Sequence, residues 1–139
     1  MVKTIDMQTI RHLNLFENVT RVNTRFCLKY DNGIIFCVPK SLVLKAVGRD
    51  GENIRKISMI TKRRVKIIAK PRGIEDVKYF IGSVISPITF KNIDVRGNEI
   101  IITAGGIQNK AALLGRNKQR FLDLQRVVRD FFEKELRIV

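Results

Sequence analysis

The chain contains no tryptophan, one histidine and two cysteines in 139 residues. Each shortage excludes something. The only histidine, His12, falls inside the first helical pattern, which argues against a catalytic triad and excludes any multi-histidine metal centre; a lone histidine there is ordinarily structural. Cys27 and Cys37 are too few for a disulfide framework or a cysteine zinc site, and read as thiols in neighbouring strands. Low aromatic content, 7%, argues against exposed rings as the main platform for a ligand's bases. No stretch approaches 18 uncharged apolar residues, so no membrane span is expected. The first twelve residues carry an early acid and no apolar run, which is not the pattern of a secretory signal; residence in the cytoplasm is expected. No Walker-type phosphate loop or dinucleotide fingerprint occurs. The carboxylates Asp130, Glu133 and Glu135 lie among cations, where surface ion pairing is their expected role. Neither catalysis nor a cofactor, metal or small-molecule substrate is therefore expected.

What the chain does have is positive charge: 27 lysines and arginines against 13 acids, a formal net charge of +14. A polyanion relieves the self-repulsion of such an excess, and neutralised phosphates release condensed counterions, so nucleic acid is the first partner to consider. The charge is also concentrated. Eleven cations lie between Lys40 and Arg72, opposed only by Asp50 and Glu52. A solvated face intersperses both signs; this segment has the composition of a binding surface. Apolar residues still make up 45% of the chain, enough to bury a core.

Periodicity and punctuation give the order of elements. Thr4 is placed to cap a helix over residues 5–18 with Ile10, Leu13 and Phe16 on its apolar stripe. The strands RFCLKY and IIFCV flank Asn32-Gly33, a pair suited to a type I′ turn. That register sets Leu28 opposite Cys37 and Cys27 opposite Val38, with the thiols on opposite faces. A short helix over Ser41–Val47, the corner Gly48-Arg49-Asp50-Gly51, a helix reaching Thr61 with Ile54, Ile57 and Ile60 buried, and the strand RRVKIIAK complete the first set. Pro71 and Gly73 then interrupt the chain. A second set follows: a helix over Glu75–Ile85 burying Val77, Phe80, Ile81 and Val84, the strand ITFKNIDV, the turn Gly97-Asn98 and the strand EIIITA. A short helix over Lys110–Leu114 leads to Gly115-Arg116-Asn117-Lys118; a longer helix carrying Phe121, Leu124, Val128 and Phe131 and a strand LRIV close the chain. One offset of 67 residues relates Ile35 to Ile102, Val47 to Leu114, Gly48 to Gly115, Ile54 to Phe121 and Ile57 to Leu124. The expectation is an α+β fold made of two tandem modules, residues 1–72 and 73–139.

A glycine corner between two helices has a physical use. Glycine allows a sharp turn and lets a phosphodiester come close to the main chain. The helix that starts there points N–H groups and the positive end of its dipole at an anion. Arg49 in the first corner and Arg116 in the second add a cation for phosphate.

The order helix–strand–strand–helix–GxxG–helix–strand resembles the type II KH domain. Two such units in tandem resemble the archaeal NusA-like transcription factors. The segments LFENVTRVNTRFC, IIFCV, AVGRDGENIRKI, the helix ending in ISP, and LLGRNKQRF carry the resemblance, which covers nearly the whole chain. It implies two type II KH modules, each with a three-stranded mixed sheet covered by helices. It implies single-stranded RNA lying across two KH grooves, and a role in transcription elongation or termination. Gly48, Arg49, Asp50 and Gly51 then clamp the sugar-phosphate backbone, Ala46, Val47, Ile54 and Ile57 form the aliphatic floor, and Lys45, Arg55 and Lys56 flank the corner. Asp50 fits only if it points outward into screening solvent. In the second copy Gly115, Arg116, Asn117 and Lys118 take the corner's place, with Lys118 where the second glycine belongs. Either Lys118 begins the following helix in ordinary helical geometry, losing close backbone approach but adding a cation, or the second groove is degenerate and mainly buttresses the first; a weakened but contributing site is favoured. RNA polymerase or the transcription complex is a further partner the resemblance implies, although no segment corresponds to the polymerase-binding or S1 domains of longer bacterial NusA proteins. A ribosome-assembly factor and a protein-interaction adaptor on the transcription machinery are the alternative readings.

Overall fold

A computed structural model describes residues 6–139; Thr4, the expected helix cap, lies outside the described residues. The described residues form an α+β fold with six α-helices and two three-stranded sheets. It divides into two compact units, one running through Lys70 and the other Pro71–Val139. None of the described helices is long and apolar enough to cross a membrane.

The first unit runs α1 (Met7–Thr20), β1 (Phe26–Tyr30), β2 (Gly33–Val38), α2 (Val43–Val47), α3 (Glu52–Thr61) and β3 (Val65–Ala69). Asp6 caps α1: its carboxylate accepts from the Thr9 amide at 2.7 Å. In the sheet β2 is central, antiparallel to β1 and parallel to β3. Alternation along the strands puts Ile34, Phe36 and Val38 of β2 beside Val65 and Ile67 of β3, and these join Phe16, Ala46 and Ile57 in one buried cluster. Phe16 stacks on Phe36 with ring centroids 4.4 Å apart, pinning α1 to the central strand.

The first hairpin differs from the sequence expectation. Its turn is Asp31-Asn32, with φ of 52° and 63°, and Tyr30 pairs with Gly33. Leu28 therefore faces Ile35 rather than Cys37, and Cys27 faces Phe36 rather than Val38. Gly33 is extended and serves another purpose: a Cβ there would lie 3.2 Å from the Arg64 carbonyl, the group that accepts from the Ile34 amide at 2.9 Å. Close approach of the third strand's lead-in, not a positive φ, is why this position is glycine. The change moves each pairing by two residues, which preserves side-chain parity, so the two thiols still point to opposite faces. Neither Cys27 nor Cys37 is joined in a disulfide.

The second unit repeats the order: α4 (Val77–Ile85), β4 (Asn92–Arg96), β5 (Glu99–Thr103), α5 (Ile107–Leu114), α6 (Gln119–Phe132) and β6 (Glu135–Ile138). Its sheet has the same plan, β5 central, antiparallel to β4 and parallel to β6. The turn is Gly97-Asn98 as expected, but β4 starts at Asn92 instead of Ile88. Helix α5 is longer at its start than the expected Lys110–Leu114, and the first-unit counterpart is shorter, with a 3₁₀ turn over Lys40–Leu42 before α2. Val77, Phe80, Ile81 and Val84 are buried as expected, and Phe80 packs against Phe131 at 4.9 Å.

The relation between the copies is not one constant offset. The hairpins correspond at 66 residues, since β1 begins at Phe26 and β4 at Asn92; the corners correspond at 67; and α6 has 14 residues where α3 has 10. The four extra residues are about one helical turn, which lengthens the helix without rotating its buried face. The correct partner of Ile102 is Phe36, not Ile35: both occupy the central strand beside inward positions of the third strand, Ile138 and Ile67.

Candidate nucleic-acid interface

The two helix–corner–helix segments have nearly the same backbone. Gly48 has φ 82°, ψ 171° and Gly115 has φ 75°, ψ 176°. Asp50 and Asn117 are left-handed at φ 56° and 55°, and Gly51 and Lys118 at φ 74° and 59°. Asp and Asn are the residue types that tolerate this region best after glycine. Lys118 is therefore not in ordinary helical geometry; it holds the glycine's left-handed conformation, at a cost of about 1–2 kcal/mol.

The first glycine of each corner is fixed sterically. A Cβ on Gly48 would meet the Asn53 side chain at 2.8 Å, and one on Gly115 would meet Arg120 at 2.7 Å. These two neighbours were not foreseen from sequence, and they do the same work. Asn53 Nδ2 donates to the Ala46 carbonyl at 3.0 Å, and Arg120 Nη1 donates to the Ala112 carbonyl at 2.9 Å. Each satisfies a carbonyl at the end of the short helix from the start of the long one, bracing the corner. Asparagine and arginine share no motif, so only the fold reveals the equivalence. Asn53→Ala is expected to cost about 1 kcal/mol of stability, read as a lowered urea midpoint with unchanged slope.

Around Gly51 there is open space: a Cβ would meet nothing nearer than Arg55 Nη1 at 3.5 Å. The Arg55 guanidinium donates to the Asp50 carbonyl, so it stiffens the corner it flanks. The amides of Gly51 and Glu52 are engaged inside the corner, donating to the carbonyls of Gly48, at 3.2 Å, and Arg49. The expectation that they point freely at an anion is corrected: a 3₁₀ turn occupies them. Arg49, Asp50, Lys45 and Lys56 are exposed, as are Arg116, Asn117 and Lys118. Of the four aliphatics expected to floor the first groove, Ala46 and Ile57 are fully buried in the core; Val47 and Ile54 are half-buried and reach the surface. Ile60, expected in the core, is 55% exposed, and Ile10 in α1 is 42% exposed.

Charge is distributed differently in the two copies. The first corner offers Arg49 against Asp50 and Glu52, with Lys45, Arg55 and Lys56 on the flanking helices. In the second, Arg116 and Lys118 sit in the corner itself, followed by neutral Gln119. The flanking positions are Ala112, Leu122 and Asp123; the last is buried and accepts from Gln119 Nε2 at 2.9 Å. Among the described residues no group of three or more His, Cys, Asp or Glu side chains could hold a metal ion.

The class set by fold and site is thus an α+β chain with two equivalent glycine-cornered helix pairs on mixed sheets. No protein-family model matches it. The chain is similar to archaeal NusA. It is 26% identical over 100 residues to the probable transcription termination protein NusA of Methanococcus vannielii, a match covering 70% of this chain and 56% of that protein. It is 24% identical over 95 residues to the protein of the same name from Halococcus morrhuae, covering 68% of this chain and 66% of that one. In both cases the match spans less than two thirds of the relative's length. The crystal structure of APE1850 has the same fold, with a TM-score of 0.68 over 97% of this chain and 100% of that one, at 19% identity.

Proposed function

We propose that the chain is a single-stranded RNA-binding protein of transcription elongation or termination, made of two type II KH modules, residues 1–72 and 73–139, and not an enzyme. The observation that carries this reading is the recurrence of one unusual corner backbone, left-handed at two successive residues, between paired helices in both units. Left-handed conformations at Asp50, Asn117 and Lys118 are unfavourable, and keeping them twice supports a use beyond folding. The charge of +14 supplies the attraction to phosphate, and the similarity to proteins named for transcription termination supports the setting. Arg49 and Arg116 pair with phosphates; Val47 and Ile54 offer the aliphatic surface for bases in the first groove; Lys45 and Lys56 line the approach. Arg55 shapes the corner through the Asp50 carbonyl. In the second groove Lys118 supplies the cation that the first lacks.

The test is a titration of unstructured RNA, matched single-stranded DNA and duplex DNA at two salt concentrations. Preference for single-stranded RNA is expected. Equal, steeply salt-dependent binding to all three would reduce the affinity to bulk charge and move the proposal to a protein-interaction adaptor.

A further inference from the structure

The copies can be used to separate what the fold requires from what it does not. At the end of α3 remote from its corner, about 15 Å along a ten-residue helix, the chain reads Lys62-Arg63-Arg64. The corresponding stretch after α6, reached by the same left-handed helix end, is Glu133-Lys134-Glu135. In both units the middle residue fastens to the hairpin tip: Arg63 Nη1 donates to the Asn32 carbonyl at 3.3 Å, and Lys134 Nζ donates to the Gly97 carbonyl at 2.7 Å. That contact is shared, so it belongs to the fold. The outer two positions are cations in the first unit and carboxylates in the second, so their charge does not.

Their surroundings in the first unit are also basic. Lys29 on β1 and Arg63 both lie close enough to His12 on α1 to act on its charge, Arg64 pairs with Asp31 at 3.3 Å, and Lys29 lies 3.8 Å from Asp6. Lys29, Arg63 and Arg64 thus lie about two carboxylates, Asp6 and Asp31, that are already engaged, exposed Lys62 precedes Arg63 in the chain, and among the described residues neither Lys62 nor Arg63 pairs with a carboxylate. We propose that Lys62, Arg63, Arg64 and Lys29 form a second phosphate-contacting surface, which takes the backbone of the same single-stranded RNA beyond the first corner. This rests on the RNA-binding reading of the corners.

His12 is a built-in reporter of this surface. Burial pushes its pKa down, and Lys29 and Arg63 push it further, against Asp6. A phosphate placed among those cations favours the protonated imidazole and raises the pKa.

The experiment uses the whole chain and a Lys62→Gln/Arg64→Gln variant, which leaves the Arg63 contact in place. Both are checked by thermal unfolding, then titrated with unstructured RNA over a range of salt. Loss of two phosphate contacts lowers the slope of log affinity against log salt by about 1.4 for a single strand. In the unaltered chain, saturating RNA raises the pKa of the one histidine signal in an NMR titration. An unchanged slope in the variant together with an unmoved histidine, while the unaltered chain binds RNA well, would overturn this surface and leave the corners standing. Failure of the unaltered chain to bind RNA at all would overturn both.

Discussion

Gly51→Asp should weaken single-stranded RNA binding about 10- to 100-fold while the protein stays folded. The size follows from one charge-assisted hydrogen bond, about 1.5–3 kcal/mol, with each 1.4 kcal/mol a factor of ten. Folding is expected to survive because the second corner already carries a side chain at this place: Lys118 sits at φ 59°, ψ 24° where Gly51 has φ 74°, ψ 20°. Space exists as well, since the nearest atom to a new Cβ is Arg55 Nη1 at 3.5 Å. Strain of about 1–2 kcal/mol is small beside a typical domain stability of 5–15 kcal/mol, and aspartate tolerates the left-handed region, as Asp50 does next door. The new carboxylate would stand beside Arg55 and add a third acid to Asp50 and Glu52 at a corner offering only Arg49. Unfolding curves and RNA titrations on one preparation separate the effects. A folded variant that binds RNA as well as the parent would remove the first corner from the interface.

The corner itself was legible because its constraints are local. Gly48 and Gly115 need a positive φ and lack of a side chain, and those needs are visible as glycine in a fixed place between two apolar periodicities. The hairpin was not fully legible, because Asp31-Asn32 and Asn32-Gly33 are both competent turn pairs. The choice was made from outside, by the Arg64 carbonyl packing against Gly33. Helix stripes read at a strict three-residue spacing failed at their ends for one geometric reason. Each step of three falls about 60° short of a full circle, so over two steps a residue leaves the buried side. Phe16 is buried, Leu13 partly so and Ile10 exposed; Ile57 is buried, Ile54 partly so and Ile60 exposed. The single repeat offset failed because an insertion of one residue before the corner and four within α6 cannot be located by matching glycines alone. The bracing by Asn53 and Arg120 depends on a shared position with unlike chemistry, which pattern reading does not detect.

Lys118→Gly should make the protein more stable and poorer at binding RNA. Relieving a left-handed lysine returns about 1–2 kcal/mol, and the extra freedom of glycine in the unfolded chain takes back about 0.5–1 kcal/mol, leaving a net gain near 0.5–1 kcal/mol. For a unit of this size such a gain appears as a rise of a few degrees in Tm. Removing one cation from the second corner lowers the salt slope of single-strand binding by about 0.7 and weakens binding a few-fold at moderate salt. Lys118→Glu keeps the strain and reverses the charge, so it weakens binding several-fold without the gain in stability. The pair of variants separates the two physical uses of this position. If Lys118→Gly binds RNA more tightly than the parent, close backbone approach matters more than the cation, and the second corner would be a weakened copy of the first. If both variants bind like the parent, the second groove makes no contact and serves as a buttress. Loss in both, in proportion to the charge removed, would identify Lys118 as a phosphate ligand that replaces the glycine, kept in an unfavourable backbone conformation because the contact outweighs the strain.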